Sequence, residues 1–331
     1  MLRPQEYLDV IRKEYLQDFI RHGGAAVKFI VPTEEIEHKG LQQQLCSISE
    51  AEGYLFATID AAKTGVHMID HIFHEVAQQI NWDDLAFSFI SHILSNNGFN
   101  VPPREEFNIR KISELNQLDE TQLPLEIQKL LTKHLFHDYQ MCQEFRIAMM
   151  RLCLAQLDPS DVYPVPGDVI KTWLRGELRL VSEIKPAHIF QKISRHNARH
   201  MLSSLSHWLH LTGKGGLVIA LDISRCLVQR PKTKELNDDS RYYSMAAILD
   251  GYEVLRQFID TTDDMEFCFI VIIATPPFLH PDERRGVYSY DALKMRILDE
   301  VRDRYRTNPF SSLIRLSPCP NISGEPHKEI A

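Results

Sequence analysis

The residue with the clearest chemical potential is Asp222, which closes the apolar run 216–222 (Gly-Leu-Val-Ile-Ala-Leu-Asp). An apolar run that ends in an acid is typical of a buried parallel strand with a carboxylate at its carboxyl-terminal tip. In nucleotide hydrolysis by P-loop ATPases, an acid at that tip helps to hold Mg²⁺, and a glutamate usually follows it to activate water. Here the next residue is Ile223, whose apolar side chain can neither bind Mg²⁺ nor activate water. The pattern predicts a strand-tip carboxylate without the adjacent base.

A second polar residue, Thr275, follows the apolar run 267–274 and precedes two prolines. Such a residue at a strand tip could sense the terminal phosphate of a nucleotide. A threonine that ends a strand before Pro-Pro is equally good turn chemistry. The sequence leaves both alternatives open for Thr275.

Strands and helices alternate along the chain in a way that would bring these tips together. Apolar runs predict strands at residues 25–31, 54–59, 216–222, 267–274 and 313–316. Helical spacing predicts helices before Gly23, at 41–51, twice within 66–98, at 123–157, from 167 to about 211, at 240–260 and from 290 to about 305. Residues 99–121 and 230–239 are predicted to be loops. The strand–helix–strand order predicts an α/β fold with a parallel sheet and right-handed crossovers.

The same pattern divides the chain into four predicted segments. Residues 1–65 form an N-terminal helix and a βαβ unit, and residues 66–212 form a helical insertion. Residues 213–316 complete the α/β core, and residues 317–331 form a flexible tail.

The composition excludes several classes of protein. Apolar residues make up 44% and charged residues 25% of the 331 residues, which argues against disorder. A formal net charge of −8 offers no general attraction for nucleic acid. The six cysteines form no C-x-x-C pair, which favours reduced core thiols in a cytoplasmic protein. We see no signal peptide and no apolar run of the ~20 residues that span a membrane, so no membrane contact is expected.

Four stretches between residues 173 and 296 together resemble one known family. They are 173–177 (Trp-Leu-Arg-Gly-Glu); 195–199 (Arg-His-Asn-Ala-Arg) with 207–208 (His-Trp); 215–222; and 274–276 (Ala-Thr-Pro) with 284–286 (Arg-Arg-Gly) and 290–296 (Tyr-Asp-Ala-Leu-Lys-Met-Arg). In order and spacing they resemble the ATP-binding proteins of the BREX phage-resistance systems, a divergent group of AAA-like P-loop ATPases. The resemblance implies a P-loop NTPase-like sheet flanked by helices, with a helical insertion.

The chain departs from this family where the phosphates would bind. The family has a glycine-rich loop, whereas residues 32–40 here read Pro-Thr-Glu-Glu-Ile-Glu-His-Lys-Gly. Pro32 has no N–H to offer, and three glutamates would repel a triphosphate more than Lys39 and His38 attract it. Together with Ile223, this predicts a pseudo-ATPase that lacks both halves of the hydrolysis machinery. For Asp222, a hydrogen bond to a neighbouring loop is therefore favoured over Mg²⁺ binding.

Two other groups of residues have a functional and a structural interpretation. Arg284 and Arg285 match positions where the resemblance implies an arginine presented to a neighbouring subunit's nucleotide, but they could also be a solvated pair. A second group, His67, Asp70, His71 and His74, recurs at helical spacing and could build a metal site. A partly exposed helix face is favoured there, so no metal site is predicted.

The resulting hypothesis is a degenerate ATP-binding subunit with a structural or regulatory role in a bacterial antiviral complex. No cofactor is expected in this case, and the partners would be other defence proteins, such as an intact homologous ATPase or a helicase, in a hetero- or homo-oligomer. The alternative is an active ATPase that binds ATP and Mg²⁺ through Lys39, Asp222, Thr275 and an arginine. A DNA-binding adaptor is disfavoured by the acidic net charge.

Overall fold

A five-stranded, all-parallel sheet forms the centre of the chain. The structure is a computed structural model that describes residues 1–158, 165–229, 241–298 and 307–318. Its strands are β1 (Ala25–Pro32), β2 (Leu55–Asp60), β3 (Leu217–Asp222), β4 (Cys268–Ile273) and β5 (Leu313–Leu316), in the spatial order β2-β3-β4-β1-β5. Helices cover the sheet, so the α/β class is confirmed and the architecture is consistent with a P-loop NTPase-like fold.

The described residues also form twelve α-helices. They are α1 (Pro4–Val10), α2 (His38–Ala51), α3 (Ile69–Gln78), α4 (Trp82–Asn96), α5 (Ile109–Asn116), α6 (Leu123–Leu131), α7 (Gln143–Ala155), α8 (Gly167–Leu174), α9 (Ala198–Leu211), α10 (Ser224–Leu227), α11 (Met245–Asp260) and α12 (Asp291–Ile297). Helix α1 continues as a π-helix over Ile11–Phe19, and α6 continues as one over Thr132–Phe136. No helix of the described ranges is long and apolar enough to cross a membrane.

Alternating side chains of the sheet build two separate cores. In β4, Phe269, Val271 and Ile273 pack on one face with α1, its π-helical continuation and α2. The alternate residues of β4 face the larger core, which contains α3 to α9, α11 and α12. Right-handed crossovers explain this arrangement. The β1–β2 connection runs along the sheet in the opposite direction from the β2–β3 and β3–β4 connections. Its helix, α2, therefore lies on the opposite face from theirs.

The strand register aligns the carboxyl ends at one edge. Asp60 at the tip of β2 pairs with Asp222 at the tip of β3, and Asp222 pairs with Ile273 at the tip of β4. All of β3 before Asp222 is buried, which explains why its sequence is a continuous apolar run. The predicted strands therefore place Asp222 and Thr275 at the same edge.

Four secondary-structure predictions needed correction. The predicted helix 123–157 is interrupted at residues 137–142, between the π-helix that follows α6 and helix α7. Residues 109–116 form helix α5 where a loop was predicted, because the side chain of Asn108 caps the helix by accepting the Lys111 N–H. The predicted helices between 175 and 197 are wrong: that stretch holds only two short 3₁₀ turns, and His188 has a left-handed backbone (φ 60°). Helix α11 begins at Met245, because Ser244 has an extended backbone and its side chain caps the helix by accepting the Ala247 N–H. The predicted loop 230–239 lies outside the described residues, as does the helix beyond 298 and the tail from 319.

Candidate functional site

The candidate site lies where the chain leaves β1 and β4 in opposite directions. After β1 the chain turns to α2 on one face of the sheet, and after β4 it turns to the other face, which carries α12. Because β1 and β4 are neighbours, their carboxyl ends form a topological switch point, where open α/β sheets bind ligands. The loop 33–37, the tip of β3 and Thr275 meet this edge.

The loop after β1 is a short turn without the geometry of a phosphate cradle. The N–H of Thr33 donates to the Leu316 carbonyl (3.0 Å), and the N–H of Ile36 donates back to the Thr33 carbonyl (3.0 Å). Every residue from 32 to 40 is described, and none has a positive φ. A phosphate-binding nest needs successive N–H groups that converge, commonly through left-handed residues. In this loop, the N–H groups of Thr33 and Ile36 already donate to carbonyl groups of the chain, and no left-handed residue makes successive N–H groups converge.

The charge of the loop is negative and exposed. Glu34, Glu35 and Glu37 all point to solvent, and they form no ion pair with the described residues. Lys39, on the first turn of α2, is also exposed and unpaired among those residues. The predicted cofactor-binding residue Lys39 is therefore outnumbered by the carboxylates of the preceding loop.

The carboxylate of Asp222 is held by its own chain on both oxygens. Oδ1 accepts the Ser224 N–H (2.9 Å) and the Ser224 hydroxyl (2.5 Å), and Oδ2 lies 3.0 Å from Nδ1 of His38. Burial opposes the charged form, but the hydrogen bonds from His38 and Ser224 outweigh it, so the pKa of Asp222 lies below its ordinary value. An ionised carboxylate only accepts, so Nδ1 of His38 is the donor. We call these three side chains the strand-tip clasp.

His38 and Ser224 were not among the residues predicted from the sequence. His38 is the first residue of α2 and lies 184 positions before Asp222. Its only sequence signal is a polar residue at the start of the helix that follows the first strand. A contact over that separation becomes visible only once the order of the strands is known.

Ile223 occupies the position that a catalytic base would need. Its side chain is 1% exposed and packs in the larger core. Its N–H donates to the Ile273 carbonyl (2.9 Å), which extends the pairing of β3 and β4 by one residue. The residue after Asp222 thus points into the core as well as lacking a carboxylate.

Thr275 begins a 3₁₀ turn, Pro276–Leu279, and its carbonyl accepts the Phe278 N–H (3.0 Å). Nearby, a cavity of about 190 Å³ opens between the ends of β1, β4 and β5, with Thr33, Pro276 and Arg315 in its wall. The Thr33 hydroxyl is buried and has no hydrogen-bond partner among the described residues. Pockets that bury ligands of ordinary size measure roughly 300–1,000 Å³, so this cavity is small for a nucleotide.

The two candidate arginines differ from each other. Nη1 of Arg285 donates to the carbonyls of Cys226 (3.2 Å) and Tyr243 (3.1 Å), so its guanidinium joins α10 to the segment before α11. Arg284 is exposed and forms no hydrogen bond or ion pair within the described part of the chain. Of the two, only Arg284 presents an unengaged guanidinium to solvent.

The group of three histidines and Asp70 lies at and just before the start of helix α3. Among the described residues, no group of three or more histidine, cysteine or acidic side chains has the geometry to hold a metal ion. Helix α3 begins only at Ile69, so His67 precedes it and does not share the predicted helical face. His74 packs against Gly176 instead, and burial lowers its pKa.

Comparison with known proteins identifies the family. The family model for the BREX system ATP-binding protein BrxC/D matches residues 113–321, more than half of the chain. The match includes Asp222, Thr275 and both arginines, and it begins after the loop 33–37. No curated protein and no solved structure matches significantly. The chain therefore belongs to the BREX system ATP-binding protein BrxC/D family, which supports a role in a BREX defence system.

Proposed function

We propose that this chain is a non-hydrolysing member of its family and acts as a structural or regulatory subunit of a BREX defence assembly. The strand-tip clasp carries the proposal. A carboxylate that helps to hold Mg²⁺ must turn an oxygen toward the ion or its waters. In Asp222, Oδ1 is engaged by Ser224 and Oδ2 by His38.

The loop 33–37 supports the same proposal from the opposite side of the site. Its backbone forms a turn with partly occupied amides, and its three glutamates are exposed. At ~4 Å, each contact between like charges costs about 1 kcal/mol in water and several kcal/mol in a partly dry site. Bringing a triphosphate to this edge would incur that cost, and within residues 32–40 the groups that could offset it are Lys39 and His38.

The buried side chain of Ile223 supports the absence of hydrolysis specifically. A general base must come within hydrogen-bond reach of the attacking water. A side chain that packs in the core cannot reach it, and restoring a glutamate there would bury a charge in place of an isoleucine. The acidic loop 33–37 thus opposes nucleotide binding, and the buried side chain of Ile223 opposes hydrolysis.

In the assembly, hydrolysis would come from an intact homologous ATPase, with which this chain would form a mixed oligomer in the cytoplasm. Arg284 is the residue best suited to reach the nucleotide of that partner, because it is exposed and unengaged. An arginine supplied in this way needs no nucleotide in its own subunit. A helicase or another defence protein would be an alternative partner.

Calorimetry of ATP binding, with and without Mg²⁺, tests the proposal on the purified chain. We expect no binding up to millimolar ATP, and the same result for Asp222→Asn. Micromolar, Mg²⁺-dependent binding that disappears in Asp222→Asn would overturn the proposal. That result would favour an active ATPase that uses Lys39, Asp222 and Thr275.

The regulatory part of the proposal has its own test. The chain is mixed with an intact family member from the same defence system, and ATP hydrolysis is followed at rising ratios of the two proteins. We expect the hydrolysis rate to change with the chain present, and Arg284→Ala to abolish that change. Arg110→Ala, which removes an exposed arginine from helix α5, should preserve it. A rate that is independent of the chain would contradict the regulatory role.

A further inference from the structure

An open groove runs along helix α6 and its π-helical continuation, on the side turned away from the core. The side toward the larger core carries buried residues at helical spacing, namely Leu123, Ile127, Leu131 and Leu135. The groove has a volume of about 460 Å³, and its wall is formed by Leu125, Gln128, Lys129, Thr132, Lys133 and His137. We call this wall the α6 stripe. The helix is thus fixed on one side and open to a partner along the other.

The α6 stripe begins with an apolar side chain that the core does not use. Leu125 is 59% exposed, although it lies between the buried residues Leu123 and Ile127. Beside it, Lys129 and Lys133 can cover apolar surface with their methylene stems while their ammonium groups stay in water. Burying Leu125 in such a groove would remove apolar surface from water, which favours association.

The charges on and beside the α6 stripe are separated by sign. The residues before it and at its start are acidic: Asp119, Glu120 and Glu126. The residues from its middle to its end are basic or histidine: Lys129, Lys133, His134 and His137. All seven side chains are exposed, and Glu126, Lys129 and Lys133 form no ion pair with the described residues. The helix therefore presents a negative half and a positive half to solvent.

This separation of charge favours a second copy of the chain as the partner. In an antiparallel pair of identical helices, the acidic half of each lies beside the basic half of the other, so both halves are matched at once. A uniformly acidic helix would match only the basic half. Nucleic acid or an anionic membrane would be repelled by the acidic half and by the formal net charge of −8. An antiparallel pair has two-fold symmetry and uses the same surface on both copies, as in most homodimers.

We propose that two copies of this chain associate through an antiparallel contact between their α6 stripes. In this contact, Leu125 of each copy enters the groove of the other, and Glu126 lies beside Lys133 of the other copy. Lys129 lies nearest the two-fold axis, with Glu126 of both copies within one helical turn of it. The contact is on the helical insertion, so it is separate from the strand-tip clasp and does not depend on nucleotide binding.

The contact is small, which sets the expected affinity. Helix α6 has nine residues and its continuation has five, so together they span about 20 Å. One helix pair of this length lies at the low end of specific interfaces, below about 1,200 Å², where association is weak. We therefore expect a reversible dimer with a dissociation constant on the order of 10–100 μM.

Sedimentation velocity of the full chain, from about 2 to about 200 μM, measures this equilibrium. Two variants each reverse one half of the charge pattern: Glu120→Lys/Glu126→Lys and Lys129→Glu/Lys133→Glu. Either variant alone should weaken association about tenfold or more, because like charges then face each other. An equimolar mixture of the two should associate at least as tightly as the wild type, because opposite charges then face each other along the whole contact.

Two controls separate this contact from general electrostatic attraction. Leu125→Asn, introduced into both chains of the mixed pair, should weaken their association about tenfold, since the apolar anchor is lost. Lys13→Glu/Lys214→Glu reverses two exposed lysines elsewhere and changes the net charge as much as Lys129→Glu/Lys133→Glu does. It should change the dissociation constant of the homodimer less than about twofold, because solvent and salt screen distant exposed charges.

Three results would overturn the proposal. They are a wild-type chain that stays monomeric at the highest concentration, a dimer that survives in both charge-reversal variants, and a mixture of those variants that does not associate. Asp222→Asn should sediment as the wild type does. The outcome is therefore independent of the calorimetric test of ATP binding.

Discussion

The contact between Asp222 and His38 can be measured as a coupling free energy. The perturbations are Asp222→Asn, His38→Ala and the two combined, which form a double-mutant cycle. The side chains are only 15% and 21% exposed, so water replaces their contact poorly. If the clasp is a structural device, each single variant destabilises the fold, and the double variant costs less than the sum.

The magnitude follows from the contacts that each variant removes. Asp222→Asn keeps the shape of the side chain but loses the charge that accepts from Ser224 and His38. A hydrogen bond to a charged group contributes roughly 1.5–3 kcal/mol, and groups that share one acceptor do not add fully. We expect Asp222→Asn to lower the free energy of unfolding by about 2–3 kcal/mol and His38→Ala by about 1–2 kcal/mol. The coupling free energy should be about 1–2 kcal/mol.

Urea unfolding followed by circular dichroism measures each corner of the cycle. The chain offers a matched control in His22 and Asp18, whose side chains also form a histidine–aspartate pair but are 74% and 73% exposed. The same cycle at that pair should give about 0.5 kcal/mol or less, because solvent screens exposed pairs. A coupling at Asp222 and His38 no larger than at the control pair would refute the structural role of the clasp.

The pH dependence gives a second test of the same contact. The folded pKa of Asp222 is lower than its unfolded value of about 3.9, so the unfolded state binds the proton more readily. Its contribution to stability is therefore complete above about pH 4 and is lost as the pH falls through the folded pKa. The difference in unfolding free energy between wild type and Asp222→Asn should be constant from pH 6 to 7 and shrink below about pH 4. A difference that does not shrink there would show that the carboxylate charge is not what stabilises the contact.

Two further predictions concern the frame of the site. Gly216→Ala should lower the free energy of unfolding by at least about 3 kcal/mol, because φ is 132° and the new β-carbon would lie 2.1 Å from the Phe267 carbonyl oxygen. Gly40→Ala is the control, since Gly40 lies in helix α2 and its new β-carbon would have no atom within 4 Å. It should raise the free energy of unfolding by about 0.5–1 kcal/mol in the same urea unfolding experiment. Arg285→Lys should cost about 1–2 kcal/mol, because an ammonium on a flexible stem does not reproduce the guanidinium that reaches two carbonyls. Arg284→Lys is its control and should change the unfolding free energy by less than about 0.5 kcal/mol, and equal effects of the two substitutions would contradict the difference between these residues.

The strands could be predicted from the sequence because each is a short apolar run with a clear boundary. The run 216–222 differs from β3 by a single residue, and its terminal acid is at the predicted tip. Burial on both faces leaves few alternatives for such runs. The position of Asp222 and Thr275 at one edge followed from the same signal.

The helical insertion was harder to predict because its local signals are weak. Helix α5 has only eight residues, and its start depends on the cap from Asn108 rather than on a long apolar stripe. In the stretch 175–197, apolar residues such as Ile184 and Ile189 are fully buried although they lie outside any helix or strand. Their burial depends on helices from distant parts of the chain, which local periodicity cannot report.

The presence of Asp222 at the strand tip has a physical explanation that needs no nucleotide. The sheet is stabilised by the two apolar cores, to which the loop 33–37 contributes the partly buried side chain of Ile36. A loop at the surface can therefore change its residues while the strands stay in place. An ionisable group that is largely buried cannot change so freely, because removing one partner leaves the others without a hydrogen bond. Asp222 would thus be retained by its contacts with His38 and Ser224, and its presence alone is not evidence for hydrolysis.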